Sequence, residues 1–373
     1  MRKICIDASL YNKTDGTGRV TYNLLPELIK LKTKDEHYYI IFYKKNYLSG
    51  NTDNDITIIV SKFSGKSPIR VLWYIFYLPA FLFLHHITIF YSFENFTMPP
   101  FFNGKSIITV HDLIPIKIKN YYRKFFNRTW FNYKVRISTK RTREAVVVSQ
   151  FSETGLLYYF PIFKDHTHVV YNALDERLKG MKTDDSYANE FNLKDKGYFF
   201  ATGGLEKRKN NMLTLKAYIL LLQRDPTTPI DLVIMGVGNQ AYANASIGEN
   251  IDIPEEFKNR IHFLGHLSDE ELASLYEHCF AFIFPSTYEG FGMPVLEAMY
   301  HNAPVICLDS SSLPEVVGEA AIRIENADEA MFGAMEKILT DENLRQTLIT
   351  NGAHQVAKFS WADGAKTIHS LFT

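Results

Sequence analysis

The sequence predicts an α/β fold of two Rossmann-like domains, and three observations point there. Short β-branched and aromatic runs alternate with longer helical patterns along the whole chain, as parallel sheets with crossover helices require. Several runs, FAFIFP and SIITV among them, are apolar on both faces, which suits a sheet covered on both sides. The 373 residues are too many for one ordinary core and fit two domains of typical size.

Taken in order, the strand-like runs of the first half are residues 3–7, 39–42, 56–60, 87–91, 107–110, 145–148 and 167–171. Those of the second half are 198–202, 232–235, 262–264, 280–284, 304–308 and 321–324. Between the two sets, residues 172–196 are polar, carry Gly180 and the acidic pair Asp184-Asp185, and offer few apolar positions. The linker is therefore expected at 172–175, with domains 1–173 and 174–354. No repeat of solenoid period and no low-complexity tract interrupts the pattern.

Hydrophobic residues make up 46% and charged residues 22%, a balance that excludes a disordered chain. Net charge is zero, so no global field draws the chain to nucleic acid or to an acidic membrane. Cys5, Cys279 and Cys307 lie in apolar stretches without metal or pairing spacings, which predicts buried free thiols and a reducing, cytoplasmic setting. The opening MRKICIDASL enters a strand directly and does not read as an export signal. The most apolar run, VLWYIFYLPAFLFL at 71–84, is broken by Pro79 and ends at His85-His86. A spanning helix needs about 20 apolar residues, so a buried or interfacial helix is expected instead.

The strongest chemical signal is STYEGFGMPVLEAM at 286–299, directly after FAFIFP. Gly290, Gly292 and Pro294 cannot all sit inside a helix, so Glu289 belongs in a tight loop. Pro294 suits the first helical position, which puts Glu297 in the first turn. The glycines let backbone N–H groups approach a ligand, and the helix N-terminus favours an anion. One carboxylate can take sugar hydroxyls and the other a ribose diol; alternatively Glu297 is only a favourable acid near a helix start.

A second signal, Gly203-Gly204-Leu205-Glu206-Lys207-Arg208-Lys209-Asn210, follows the strand YFFAT. Glycines and then cations at a helix start suit a diphosphate at the carboxyl end of a parallel strand; the plain alternative is a solvated charged loop. Third, Asp15-Gly16-Thr17-Gly18-Arg19 lies between the first strand and a helix, VTYNLLPELI. It is neither a Walker loop nor a full dinucleotide fingerprint, since Thr21 stands at the third glycine position. Fourth, His111-Asp112 closes SIITV and is either a cleft residue or a satisfied structural histidine. Fifth, residues 113–143 hold ten Lys/Arg, no Asp/Glu and interleaved aromatics. That composition suits an anionic membrane surface, through Arg123, Lys124 and Trp130. Core aromatics with a solvated basic face, or single-stranded nucleic acid, would show the same composition. Membrane contact without a nucleic-acid partner is the reading carried forward.

Together these pieces resemble the retaining glycosyltransferases of family 4, whose GT-B fold has two facing Rossmann-like domains with a cleft between them. The resemblance runs in order along almost the whole chain: GTGRVTYNLL, HDLIP, AVVVSQFS, VVYNALDE, GGLEKRKN, IHFLGHLSDEELASLYEHC and PSTYEGFGMPVLEAM. The branch similar to bacterial O-antigen mannosyltransferases couples HDLIP with a LExRKN segment. The resemblance implies that residues 355–373 cross back onto the first domain. It implies that Glu289 with Gly290, Phe291, Gly292 and Met293 holds the donor sugar, and Glu297 the nucleotide ribose. Arg208, Lys209 and Gly204 would meet the diphosphate, and Gly265, His266 and Leu267 the base. His111 would face the transferred sugar, with Gly16 and Gly18 near diphosphate or acceptor. Two departures stand out: Gly203-Gly204 replaces the family's common Gly-Arg, and Asn172-Ala173 replaces its Asn-Gly.

The implied reaction passes a hexose, with mannose from GDP-mannose as first choice, to a hydroxyl of a glycan or lipid-linked oligosaccharide acceptor. No cofactor or metal is expected beyond the sugar nucleotide, because cations and helix N-termini can stabilise the leaving diphosphate. Two rivals stay open: a sugar-nucleotide epimerase or phosphorylase on the same scaffold, and a non-catalytic binding partner of another transferase.

Overall fold

In this computed structural model the described residues are 1–11, 16–43, 54–61, 68–117, 125–186, 189, 193, 197–237 and 253–373. They form two compact units, Met1–Asn172 with Ser360–Thr373, and Ala173–Phe359. Each expected strand-like run forms a strand, with ends moved by a few residues.

The first unit is a seven-stranded parallel sheet in the order β3-β2-β1-β4-β5-β6-β7. Its strands are β1 (Arg2–Asp7), β2 (Glu36–Phe42), β3 (Ile56–Val60), β4 (Ile89–Ser92), β5 (Lys105–Val110), β6 (Glu144–Val147) and β7 (Thr167–Val169). The central β4 is buried along its whole length, whereas the edge strand β3 is half-exposed, so only the centre needs continuous apolar sequence. The second unit is a six-stranded parallel sheet in the order β10-β9-β8-β11-β12-β13. These are β8 (Tyr198–Ala201), β9 (Asp231–Met235), β10 (Ile261–Leu264), β11 (Ala281–Phe284), β12 (Val305–Leu308) and β13 (Ala321–Ile324). In both sheets the chain winds outward one way and then the other. The order reverses between β1 and β4, and again between β8 and β11. Open α/β sheets bind ligands at such reversals, outside the carboxyl ends of the strands.

The chain returns to the first unit later than residue 355. Gln355 donates to the Val316 carbonyl at 2.8 Å, and the Phe359 ring meets Phe291 edge-on at 5.4 Å, so both stay with the second unit. From Ser360 the chain belongs to the first unit, where the helix Trp361–Ser370 packs on the helix Gly16–Leu31. Gly364 lets the same helix lie close to the end of β7, since a Cβ there would meet Val170 at 2.8 Å. His369 then bonds Glu36 at 3.0 Å, and Arg2 donates to the Phe372 carbonyl at 2.6 Å.

The apolar run at 71–84 forms one helical stretch in three pieces: Pro68–Leu72, a π turn at Trp73–Tyr77, and Leu78–Leu84. Pro79 has no N–H for the carbonyl one turn back, and the chain widens there, Leu78 N–H bonding Trp73 O. Tyr74, Leu78 and Leu82 face the core, while Leu72, Phe76, Tyr77, Phe83 and Leu84 are exposed. Among the described residues no helix is long and apolar enough to cross a membrane. All three cysteines are buried and free, and burial pushes the Cys307 thiol up to about 12.

Candidate active site

The second unit gathers its predicted residues at the β8/β11 reversal. β8 leads into Gly203 and Gly204, at φ +93° and +59°, in the left-handed region that favours glycine. A Cβ on Gly204 would strike the Gly236 carbonyl oxygen at 2.4 Å, and one on Gly203 the Lys209 side chain at 2.6 Å. These glycines therefore let the β8 loop cross the β9 exit closely, and Gly204 N–H donates to Met235 O at 2.8 Å. Lys207, Arg208 and Lys209 follow, ahead of the helix Asn211–Arg224.

β11 leads into Pro285 and the loop that carries Glu289. Three serines of the neighbouring β12 loop suspend it. Ser310 Oγ donates to Ser286 O at 3.1 Å, Glu289 N–H to Ser311 Oγ at 3.1 Å, and Ser312 Oγ to the carbonyls of Glu289 and Phe291 at 3.1 and 2.8 Å. Gly292, at φ +106°, caps the helix Met293–Tyr300.

Across that reversal one carboxylate oxygen collects three donors. Glu289 Oε1 accepts from Arg208 Nη1 at 2.7 Å, Lys209 Nζ at 2.7 Å and Ser286 Oγ at 2.6 Å. Arg208 also reaches Tyr288 O at 2.9 Å and the exposed Glu206 at 3.2 Å, and Lys209 Nζ lies 4.9 Å from the centre of the Phe284 ring. Burial pushes the Glu289 carboxyl up, but Lys209, Arg208 and Ser286 outweigh it and hold it below its ordinary value. Burial likewise works against the Arg208 charge, and Glu289 and Glu206 more than restore it. The result is a pre-paired carboxylate and two cations at the carboxyl edge of a parallel sheet, chemistry that fits hydroxyls on one side and phosphate oxygens on the other.

The remaining predicted residues fall into place less uniformly. Gly265, His266 and Leu267 follow β10, with Gly236 and Val237 N–H groups both tied to Leu264 O at 2.9 and 3.0 Å. Glu297 is not in the first helical turn. Because Gly292 starts the helix at Met293, Pro294 takes the second position and Glu297 the second turn, where it is buried and accepts from Tyr276 OH at 3.3 Å. The Phe291 ring is turned inward against Phe359, so its side chain packs the loop. Gly16 and Gly18 lie inside the helix Gly16–Leu31 rather than in a loop before it.

In the first unit His111 leaves the end of β5 and is held by the segment after β4. Its N–H donates to Asn95 Oδ1 at 2.7 Å and its Nε2 to the Phe93 carbonyl at 2.6 Å. Asp112 Oδ1 accepts from Ile114 N–H at 2.9 Å, which starts the short helix Ile114–Lys117. Behind this lies a charge network that the sequence reading missed. Glu94 receives Arg70 at 3.0 Å and Lys134 at 2.9 Å, and Arg70 also reaches Ser9 Oγ at 3.4 Å, close to the buried Asp7. Burial, and then Glu94, push the Asp7 carboxyl up, against the pull of Arg70. The available signal was positional: Asp7 ends β1 and Glu94-Asn95 follow β4, both polar at the close of apolar strands.

Trp130 is not at a surface tip. Its ring stacks on Tyr133 at 5.5 Å and meets Tyr74 edge-on at 6.1 Å, joining the core beneath the 68–84 stretch. Arg123 and Lys124 lie outside the described residues.

Comparison with known proteins bears on the family and the fold. The model for Glycosyltransferase Family 4 matches residues 14–178, and that for Glycosyl transferases group 1 matches residues 183–355. The Escherichia coli serotype-specific mannosyltransferase WbdA is 30% identical over 275 residues, covering 72% of this chain and 33% of WbdA. This chain thus spans about a third of that relative's length. The Escherichia coli O-antigen chain mannosyltransferase B is 28% identical over 274 residues, covering 73% of this chain and 70% of the relative. Among solved structures, Anabaena HepE in complex with UDP-glucose superposes with a TM-score of 0.71 at 16% identity, over 99% of this chain and 98% of HepE. With two parallel-sheet Rossmann-like units, and a family match on each half, the chain belongs to the family 4 glycosyltransferases of GT-B fold.

Proposed function

We propose that this protein is a retaining, metal-independent hexosyltransferase of bacterial surface polysaccharide synthesis, moving mannose from GDP-mannose to a glycan hydroxyl. The acceptor is lipid-linked, and the protein works in the cytoplasm with peripheral contact to an anionic membrane face. The observation that carries the reading is Glu289 held by Arg208 and Lys209 at the β8/β11 reversal. The mannosyltransferase relatives supply the choice of sugar.

In this mechanism the donor separates the ion pairs. Arg208 and Lys209 turn to the diphosphate, and Glu289 accepts from the sugar hydroxyls. The bond from the anomeric carbon to the diphosphate oxygen breaks as the acceptor oxygen bonds the same carbon on the same face. The acceptor proton passes to the departing diphosphate oxygen, whose charge the two cations stabilise. His111, oriented by Phe93 O and Asn95, faces the transferred sugar, and Glu297 takes the ribose.

The test is a thermal-shift screen with GDP-mannose, GDP-fucose, UDP-glucose, UDP-galactose, UDP-GlcNAc and dTDP-rhamnose. A donor at about 100-fold over its dissociation constant should stabilise the protein by about 2.7 kcal/mol. A shift with GDP-mannose alone supports the reading. A shift with UDP-glucose instead, the ligand in the HepE complex, overturns the choice of donor. No shift with any donor at millimolar concentration overturns the site itself.

A further inference from the structure

The opposite end of the first sheet carries two adjoining hollows. His111 leaves the carboxyl end of β5, and Gly104 precedes its amino end. Beside Gly104, Arg143 precedes β6 and His166 precedes β7, so three neighbouring strand starts form one edge. A hollow of about 560 Å³ opens there, lined by Lys140, Arg141, Arg143 and His166 together with Thr142. The Thr142 hydroxyl oxygen is buried and has no hydrogen-bond partner among the described residues. Arg141 is braced at 3.4 Å by both the Phe102 carbonyl and Asn103 Oδ1, while Lys140 and Arg143 are exposed. Glu144, next to Arg143, meets His168 at 2.9 Å and His166 at 3.7 Å.

An apolar hollow of about 290 Å³ adjoins it and shares Phe102, Asn103 and Gly104. Phe83 and Phe101 line this second hollow and are 79% and 70% exposed. Leu84, beside Phe83, is 71% exposed, and Ile162, on the cationic hollow, 63%. Large apolar side chains at such exposure, side by side with a cation-lined hollow, match an amphiphile with an anionic head and an apolar tail.

We propose that this amino edge of the first unit's sheet is a membrane-docking site that takes the phosphate of an anionic phospholipid headgroup among Lys140, Arg143 and Thr142, with Phe83, Leu84 and Phe101 entering the acyl boundary. The site rests on the membrane contact proposed above and moves it away from Trp130, which packs inward. The head and tail chemistry fall on adjoining hollows, so a single lipid satisfies both, which a free phosphate or an uncharged apolar partner does not. Docking by this edge leaves the carboxyl edge of the same sheet, with His111, at the far end of the strands.

The test is co-sedimentation of the full chain with phosphatidylethanolamine–phosphatidylglycerol vesicles, with pure phosphatidylcholine vesicles as the neutral control. Wild type should bind the anionic vesicles only. Lys140→Ala with Arg143→Ala should weaken that binding about 30-fold, at about 1 kcal/mol per cation near an anionic surface. Phe83→Ser with Phe101→Ser should weaken it at least about tenfold. Lys140→Arg with Arg143→Lys should restore it. If wild type binds but the alanine and serine pairs bind as well as it does, this site is wrong while membrane contact elsewhere stands. If wild type ignores both kinds of vesicle, the site and the membrane reading fall together. Equal binding to phosphatidylcholine, or release from anionic vesicles by millimolar inorganic phosphate at constant ionic strength, overturns the anionic-lipid assignment.

Discussion

The two sheets reverse strand order in the same way and use the reversal differently. At β8/β11 the charged groups come from loops just past the strand ends, and one carboxylate is shared by two cations. At β1/β4 the charges come from distant elements, with the buried Asp7 on the strand itself, Arg70 and Lys134 on helices, and Glu94 shared between those two. In the second unit Glu289 is held below its ordinary pKa, whereas in the first Asp7 is pushed above it. A carboxylate kept ionised and pre-paired is ready to exchange partners with a ligand. A carboxyl pushed up by burial instead suits a framework: Asp7 Oδ1 takes the Ser9 N–H at 3.1 Å, and the Asp7 carbonyl takes the N–H of Phe93, in the segment that orients His111, at 3.4 Å.

The sharpest way to break this contrast is Glu289→Ala. Turnover should fall by at least about 10²–10³-fold, as when one group that stabilises the transition state is removed, and the fold should survive. Sugar transfer measured by mass spectrometry near the wild-type rate would reverse the roles given to the two sites. Next comes Glu94→Ala, which leaves Arg70 and Lys134 without their shared carboxylate. Breaking a buried pair from one side costs about 3–5 kcal/mol, and the partial exposure of these groups places the expected loss at the lower end, read by chemical denaturation. A change under about 1 kcal/mol would show that the network is no framework.

Gly204→Ala should cost about 2 kcal/mol, from the left-handed backbone and the approach to Gly236 O. The same variant tests whether the β8 loop needs its present course to bind a donor, by its effect on the donor thermal shift. The smallest effects concern pH and have opposite signs. The stability that Glu289 contributes is present above the ordinary carboxylate pKa and lost as pH falls through its depressed value, so Glu289→Gln should flatten that acid-side loss. The contribution of Asp7 is fully present below its ordinary pKa and lost as pH rises through its raised value, so Asp7→Asn should flatten a loss toward neutrality. Melting temperatures across pH for both variants read the two signs directly. The same sign in both would erase the contrast.

Much of this was legible before any coordinates. Strand positions showed in runs such as FAFIFP because a strand covered on both faces must be apolar throughout, and β8 and β11 are buried along their length. The glycines at 203, 204 and 292 signalled loops because helices and strands rarely tolerate them, and all three take positive φ. Other features were not legible. The helix starts at Met293 because Gly292 caps it, so Glu297 moved a turn inward. Trp130 read as a surface aromatic because composition does not tell which face of a helix is covered, and Tyr74 covers it. Lys134 and Arg70 gave no local sign of meeting Glu94, since each pair is distant in sequence.

What the sequence determined by itself was local: which segments are strands, where the chain turns, and that glycines and charges cluster after particular strands. Those follow from side-chain period and backbone sterics, which act over a few residues. Only the tertiary structure decided the partners. That Glu289 takes both Arg208 and Lys209 depends on β8 and β11 lying side by side, an adjacency set by the order in which strands join the sheet. Strand order is chosen by how whole faces bury against helices, a sum over many distant contacts that no short window of sequence contains.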